Sequence, residues 1–386
     1  MASNDKFALI RRRFPHTKKV TYFNAGSYGP FSIDVQQAIE ANISQRVAAE
    51  RDDSHDAFET QDELRAIYAR MIGARKREVG IGLNTSFGLN IAAFGLPLNK
   101  TDEVLVSDVE FPAIRYTWRA AAEARGFRLK VLKSRGRCFD MDALRRGVTK
   151  RSKVLTVSWV QFFNGYKADL QQLSEFCREN GMFFVVDGIQ GMGVEPINTK
   201  IIDIDVFTSG CQKWMLAPQG CGFFYLSDRI RDRLKQPFMS WLGSDWKMNF
   251  TDLFRYEQPF FDSARRFEMG YYVVLNMMAM KAAAEMFVDL GIRNIQRHNY
   301  ALIDRLADFI DSHPYYTITS NMEPTHRSSI FTFTCDDYKS LHRELLKNKI
   351  ILVQREGSIR VSVHLYNNER DIDKTIGVLQ KFARGR

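Results

Sequence analysis

Short apolar runs separated by helix-length amphipathic segments limit what this chain can fold into more than any other feature. Along residues 78–226 stand "EVGIGL", "DEVLVSD", "RLKVLKS", "SKVLTVSWV", "MFFVVDG", "DIDVFTSG" and "GCGFFYL". Several are apolar at consecutive positions, the mark of strands covered on both faces. Between them lie segments that read as helices, among them "AIRYTWRAAAEARG", "DMDALRRGV" and "DLQQLSEFCRENG", the last closed by Gly181. Strands alternating with such helices predict an α/β fold with a mostly parallel sheet, here over roughly residues 20–240. Upstream, "KFALIRRR" suits one or two helical turns and "VTYFNAGSYGP" a short strand with a glycine turn. Ser32 or Asp34 is placed to cap a helix through "VQQAIEANISQRVAAE", another helix is expected over Glu59–Ile72, and an apolar one from about Gly88. After Gln236 the texture changes to the irregular, aromatic "MSWLGSDWKMNFTDLF", then a long helical stretch from about Gly270 to Ile310. Strands "YTITS", "SIFTFT" and "IRVSVH" with helices "YKSLHRELLKN" and "NERDIDKTIGVLQKFAR" predict a smaller α+β lobe at the C-terminus.

At 386 residues and 45% hydrophobic content, the chain can fill two cores. Its net charge of +10 admits nucleic acid, a membrane surface or an anionic ligand as partner. The basic residues are spread along the chain, the densest cluster being "RRRFPHTKK" at Arg11–Lys19, and no aromatic-interleaved basic motif accompanies them. A solvated basic face is the preferred reading, and no nucleic-acid partner is expected. The five cysteines are odd in number and widely spaced, with no CxxC and no Cys/His pattern, so neither a disulfide scaffold nor a metal site is expected. No apolar run approaches the ~20 residues of a spanning helix. "FALI" is too short for a signal-peptide core, and Asp5 argues against a transit peptide. A reduced, cytoplasmic chain without membrane contact is the expectation.

Four groups carry candidate chemistry. Asp187 ends the run "MFFVVD"; a carboxylate there needs a partner if buried, although Gly188 after it also allows a turn or cap. Lys213 follows "DIDVFTSGCQ"; a lysine in a partly dry pocket has a lowered pKa and attacks carbonyls, whereas one at a strand end can also reach back to solvent. Thr85 and Ser86, in "LNTSFGLN", supply hydroxyls at a helix start, fit either for an anion or for capping. Arg360 lies in "REGSIRVSVHLYNN", an alternating strand, where a guanidinium either clamps a carboxylate or stays exposed. Together they form a Schiff-base lysine, an acidic partner 26 residues upstream, an anion cradle and a carboxylate clamp. Those are the parts that a pyridoxal phosphate enzyme needs.

From "YFNAGSYGP" to "RVSVHLYNNERDID" the chain resembles the class V aminotransferase family of fold-type I pyridoxal phosphate enzymes. That family includes cysteine desulfurases, kynureninase and isopenicillin N epimerase. "DVFTSGCQKWMLAPQGCGFF" carries the resemblance most specifically and looks nearest the epimerase-like branch; Cys211 replaces the usual small residue and Gln212 the commonest histidine. The resemblance implies pyridoxal 5′-phosphate as cofactor. It implies an N-terminal arm (1–20) packing on the small domain, a large cofactor-binding domain (21–250) and a small C-terminal domain (251–386). It makes Lys213 the lysine that forms the Schiff base with the cofactor and later moves the α-proton. Asp187 is matched to the partner of the pyridine nitrogen, Gln190 to a neighbour of the cofactor's ring oxygen, and Phe111 in "SDVEFPAIRYTW" to the ring-stacking aromatic. Thr85 and Ser86 match the phosphate-binding pair, with Ser209 and Gln212 beside them. Arg360 matches the substrate-carboxylate arginine, and Asn24 sits where the N-terminal loop closes over substrate.

Two departures limit the transfer. "RFEMGYY" places Tyr271 where a Gly-Thr pair often reaches the phosphate across a dimer, so Tyr271 is the expected stand-in and a homodimer with shared sites is implied. The segment "KNKIILVQREGSIR" has no cysteine where desulfurases carry their nucleophile, and Cys335 lies 25 residues before Arg360 at a strand end. Desulfurase chemistry is therefore disfavoured. The resemblance implies an enzyme acting on an α-amino acid, read first as an aminotransferase, with C–S or β-elimination and epimerisation as alternatives. A non-catalytic, cofactor-binding dimer is the reading from another class.

Overall fold

The structure, a computed structural model, describes residues 3–50, 53–247, 249–270 and 272–385. Helix α1 (Ser3–Arg12) and a 3-10 turn (Pro15–Lys18) lead into strand β1 (Thr21–Tyr22). Helix α2 (Ile33–Val47) starts where Ser32 Oγ accepts from the Val35 amide at 3.2 Å, and α3 (Asp53–Ile72) follows. The alternating region is β2 (Val79–Gly82), α4 (Thr85–Gly95), β3 (Glu103–Ser107), α5 (Pro112–Arg125), β4 (Arg128–Leu132), α6 (Met141–Gly147), β5 (Ser152–Ser158), α7 (Leu170–Glu179), β6 (Phe183–Asp187), β7 (Val206–Gly210), β8 (Gly222–Leu226) and the short α8 (Asp228–Arg231).

Strands β2 to β8 make one sheet in the order β2-β8-β7-β6-β5-β3-β4. All neighbours from β7 to β4 are parallel, and β8 runs antiparallel to both β7 and β2. Successive side chains of a strand point to opposite faces. Leu105, Leu155, Val157, Phe184, Val186 and Phe207 enter one core, while Val104, Val106, Val154, Val185 and Val206 enter the other. This two-sided burial is why the runs are apolar without alternation.

The C-terminal part brings α9 (Val274–Leu290), α10 (Ile292–Ser312), β9 (Thr317–Ile318), β10 (Ile330–Thr334), α11 (Tyr338–Lys347), β11 (Ile350–Ile351), β12 (Val353–Arg355), β13 (Ser358–Ser362) and α12 (Glu369–Arg384). An antiparallel sheet β12-β13-β10-β9 packs its apolar face on a third core that includes Leu306, Phe331, Phe333 and Val361. Strand β1 pairs in parallel with β11, and Arg11 binds Asp371 at 2.6 and 3.1 Å, which ties α1 and β1 to this lobe. Helix α9 packs on α2 and α3 instead.

Three differences from the sequence reading have physical causes. Helix α4 begins at Thr85 rather than Gly88, because Asn84 is the cap: its Oδ1 accepts from the Phe87 amide at 3.0 Å. The helical stretch after Gly270 is two helices broken at Gly291, whose φ of 78° no α-helix contains. The hairpin β12–β13 escaped notice because its strands are short and its turn, Glu356–Gly357, has positive φ at both positions.

Candidate active site

Asp187 is the last residue of β6 and Lys213 lies three residues beyond β7, so both stand at the carboxyl edge of the parallel strands, where α/β sheets gather ligands. Asp187 is 2% exposed and its Oδ1 accepts from the Ile189 amide at 2.9 Å. Burial lifts its carboxyl to about 6, against that hydrogen bond and the charge of Lys213, which both favour the anion. The Lys213 side chain is partly accessible, yet its amine is held down to about 8. Desolvation is the main cause; Asp187 opposes it, while Arg360 and Arg355 add to it. Lys213 Nζ lies 5.2 Å from the centre of the Phe111 ring, which meets Phe162 edge-on at 5.1 Å.

The turn that carries Lys213 is fixed from several sides. The Leu216 amide donates to Lys213 O at 3.2 Å, with Leu216 itself at φ 55°. Trp214 Nε1 donates to Gln190 Oε1 at 2.7 Å, and Gln190 Nε2 donates to Gly26 O at 3.0 Å, so both ends of Gln190 are engaged by protein. His364 accepts from the Leu365 amide at Nδ1 (2.7 Å), which leaves Nε2 as the protonated nitrogen that donates to Trp214 O at 2.7 Å. Burial pushes this imidazole down to about 3, so it stays neutral.

Thr85 and Ser86 are the first two residues of α4, whose leading N–H groups have no partner within the helix. Thr85 Oγ1 accepts from the Gly210 amide at 2.9 Å and Thr85 O accepts from Thr208 Oγ1 at 3.1 Å, so the helix start is stitched to the end of β7. Ser209 Oγ donates to Gly210 O at 3.0 Å. Gln212 Oε1 is buried without a partner among the described residues. Helix start, hydroxyls and amide thus gather around Gly210. Tyr271 lies outside the described residues; the "RFE" before it is anchored by Glu268, which binds Arg65 at 2.6 and 2.8 Å and accepts from the Ile81 amide.

The loop Asn24–Gly29 runs across the site. A Cβ at Gly29 would stand 2.2 Å from Lys213 O, and one at Gly26 would stand 2.8 Å from Ser362 Oγ and 3.3 Å from Arg360 Nη2. Asn24 bridges to Ser362 through the backbone. Arg360 is 1% exposed, not a surface arginine. Its Nη1 donates to Phe162 O and its Nη2 to Ser27 Oγ, yet among the described residues no carboxylate pairs with it. Burial, with Arg355 as the charged neighbour, pushes it down to about 9. Asn24 Oδ1, Ser362 Oγ and Arg360 Nε are all buried without partners. A buried cation among unsatisfied polar atoms is costly unless an anion occupies the space.

Sequence reasoning passed over Glu110, His364 and Arg355. Glu110 accepts from the Ser158 amide and hydroxyl at 2.9 and 2.5 Å and from Gln161 at 3.3 Å, and Ser158 lies across from Asp187 in the sheet. Desolvation first, with Asp187 as a like charge, lifts Glu110 to about 7. A single sequence does not tell this glutamate from a surface one. Cys211, the departure in the lysine segment, is buried against Tyr68 OH at 3.4 Å with its thiol pushed up to about 12, so it is inert. Among the described residues no group of side chains is arranged to hold a metal.

The model of the aminotransferase class-V family matches residues 35–375. An uncharacterized aminotransferase YcbU of Bacillus subtilis is 24% identical over 83% of this chain and 83% of its own length. Isopenicillin N epimerase of Streptomyces clavuligerus is 24% identical over 93% and 94%, and a probable cysteine desulfurase of Pyrococcus abyssi is 23% identical over 97% of both chains. Among solved structures, the apo cysteine desulfurase of Thermococcus onnurineus superposes with a TM-score of 0.86 at 20% identity, covering 98% of both chains. The cystine C-S lyase C-DES in complex with cysteine persulfide gives 0.84 at 19%, over 95% of this chain and 98% of that one. These likenesses establish the α/β fold with its mostly parallel sheet.

Proposed function

The chain belongs to the class-V aminotransferase family, and we propose that it is a pyridoxal 5′-phosphate-dependent enzyme acting on an α-amino acid, with transamination as its reaction. One observation carries the reading: a buried aspartate ends β6 and a lysine follows the end of its parallel neighbour β7, each within the other's field. The residues present fit the cofactor. The free end of α4 with Thr85, Ser86 and the unpartnered Gln212 Oε1 suits its phosphate, with Ser209 adjacent. Asp187 suits its ring nitrogen and Phe111 its ring face, and Gln190 has the second N–H of Nε2 left for its ring oxygen. When bound, pyridoxal phosphate supplies an electron sink for the substrate's α-carbon.

The chain's own residues do the rest. With a pKa of about 8, Lys213 has roughly a tenth of its amine unprotonated at neutral pH, enough to act as nucleophile and then as a proton carrier. Asp187 holds a proton at the ring nitrogen through a charge-assisted hydrogen bond. Arg360 takes the substrate's α-carboxylate with the N–H groups that the protein leaves free, and Asn24 closes over it from the N-terminal loop. Phe111 and the loop Asn24–Gly29 limit water around the lysine. The segment before Arg360 is a closed two-residue hairpin without cysteine, which argues against desulfuration through a protein persulfide.

A homodimer with shared active sites is part of the proposal. Phe254 (86% exposed), Tyr256 (80%), Phe250 and Leu253 form an apolar, irregular strap of the kind that a second subunit covers. Among the described residues no helix is long and apolar enough to cross a membrane. Five unpaired cysteines suit a reducing cytoplasm. The test is a product screen on a panel of amino acids with a keto-acid acceptor. Formation of the matching keto acid is the expected result. Pyruvate with a sulfur product would reassign the enzyme as a C–S lyase, a D-isomer as an epimerase. Consumption of no amino acid by cofactor-saturated protein would remove the reading.

A further inference from the structure

The site holds more positive charge than one substrate carboxylate needs. In the hairpin β12–β13, Val353 faces Arg360 and Arg355 faces Ser358. Residues directly opposite in an antiparallel pair share a face, as do residues two apart in one strand. Arg355 and Arg360 therefore project from the same face as diagonal neighbours, roughly 7–8 Å apart at their backbones and within reach of long side chains. The turn between them is a tight two-residue one, with Glu356 at φ 48° and Gly357 at φ 88°. Arg355 uses one N–H on Gln354 O, at 3.0 Å, and among the described residues no carboxylate pairs with it. The hairpin's own acid, Glu356, is directed elsewhere, to Arg137 at 3.0 Å. Both Lys213 and Arg360 feel the charge of Arg355, in keeping with the register that sets Arg355 beside Arg360 on one face.

We propose that the substrate is an acidic amino acid, its α-carboxylate on Arg360 and a second anionic group at the end of its side chain on Arg355. The inference rests on the amino-acid reading above. Two cations on one face of a short hairpin repel each other, and a dianionic ligand relieves both at once. A guanidinium bound to a carboxylate by two parallel hydrogen bonds also selects geometry, so a neutral side chain of equal length leaves Arg355 unmatched.

Calorimetric titration of the holoenzyme with unreactive acids tests this, using succinate and glutarate against propionate and valerate. Wild type is expected to bind the dicarboxylates at least about ten-fold more tightly than the monocarboxylates of similar length. Arg355→Gln is expected to reduce that ratio to within about two-fold, and Arg355→Lys, which keeps the charge without the fork, to leave part of it. Equal binding of both acid classes by wild type overturns the proposal, as does an unchanged preference in Arg355→Gln. Arg360→Ala separates the two readings. If it weakens both acid classes while wild type shows no preference, only the second anionic group is wrong. If wild type binds neither class, the carboxylate clamp itself fails, and the acidic-substrate inference with it.

Discussion

Asp187 and Glu110 are buried carboxyls with different surroundings. Asp187 sees the ammonium of Lys213, whereas Glu110 sees only the hydroxyl, amide and backbone donors of Ser158 and Gln161, and Asp187 as a like charge. For Glu110 the folded pKa, about 7, lies above the ordinary value of 4.5. Its contribution to stability is therefore complete below about 4.5 and is lost as pH rises through about 7, a swing of about 3 kcal/mol at 1.36 kcal/mol per pKa unit. Denaturant unfolding between pH 5 and 8 should show wild type losing stability more steeply than Glu110→Gln; equal slopes would remove this role. At Asp187, Asn substitution should keep the cofactor bound and lower turnover by about 10²–10³, or roughly 3–4 kcal/mol, because a neutral amide does not hold the ring proton. Near-normal turnover would contradict the assignment. Asp187, Lys213 and Arg360 were legible because the first ends an apolar run, the second closely follows one, and the third interrupts an alternating strand. Glu110 and His364 were not, since what marks them is burial and the hydrogen bonds that only the fold supplies.

The loop Asn24–Gly29 and the turn Gly210–Leu216 work as a pair. The Gly29 amide donates to Gln212 O at 2.9 Å, and a Cβ at Gly29 would meet Lys213 O at 2.2 Å. Backbone on both sides leaves little room to adjust, so Gly29→Ala should cost about 1–3 kcal/mol, as overpacking does, and shift the lysine turn. Thermal melting together with the cofactor's absorbance would show a lowered midpoint and a weakened band. Retention of both would mean that the loop is looser than its packing implies. The glycine turn itself was visible as "NAGSYGP", but its partner was not, because Gly29 and Gln212 stand 183 positions apart. Most strands of the large sheet were readable as apolar runs, and the edge strand β4 as an alternating one. Strand β13 was also read, as "IRVSVH", but its hairpin partner β12 was not, since a three-residue strand carries too little pattern to separate it from a loop.

At the scale of the whole molecule, the succession of strand and helix was enough to expect the parallel sheet, because only two-sided cover explains strands apolar at every position. Nothing in that succession marks where a second subunit sits. The exposed aromatic strap around Phe254 and Tyr256 supplies that expectation. Sedimentation should find a dimer at micromolar concentration, and replacing both residues with Asp should shift it toward monomer and lower activity. A fully active wild-type monomer would contradict shared sites. The central claim, that this fold sets Lys213 at the carboxyl edge of β6 and β7 to carry pyridoxal phosphate, has one direct measurement: borohydride reduction of the purified protein followed by peptide mapping. A pyridoxyl adduct is expected on the peptide containing Lys213, absent from Lys213→Ala. An adduct on a different lysine, or none on cofactor-saturated wild type, would contradict it.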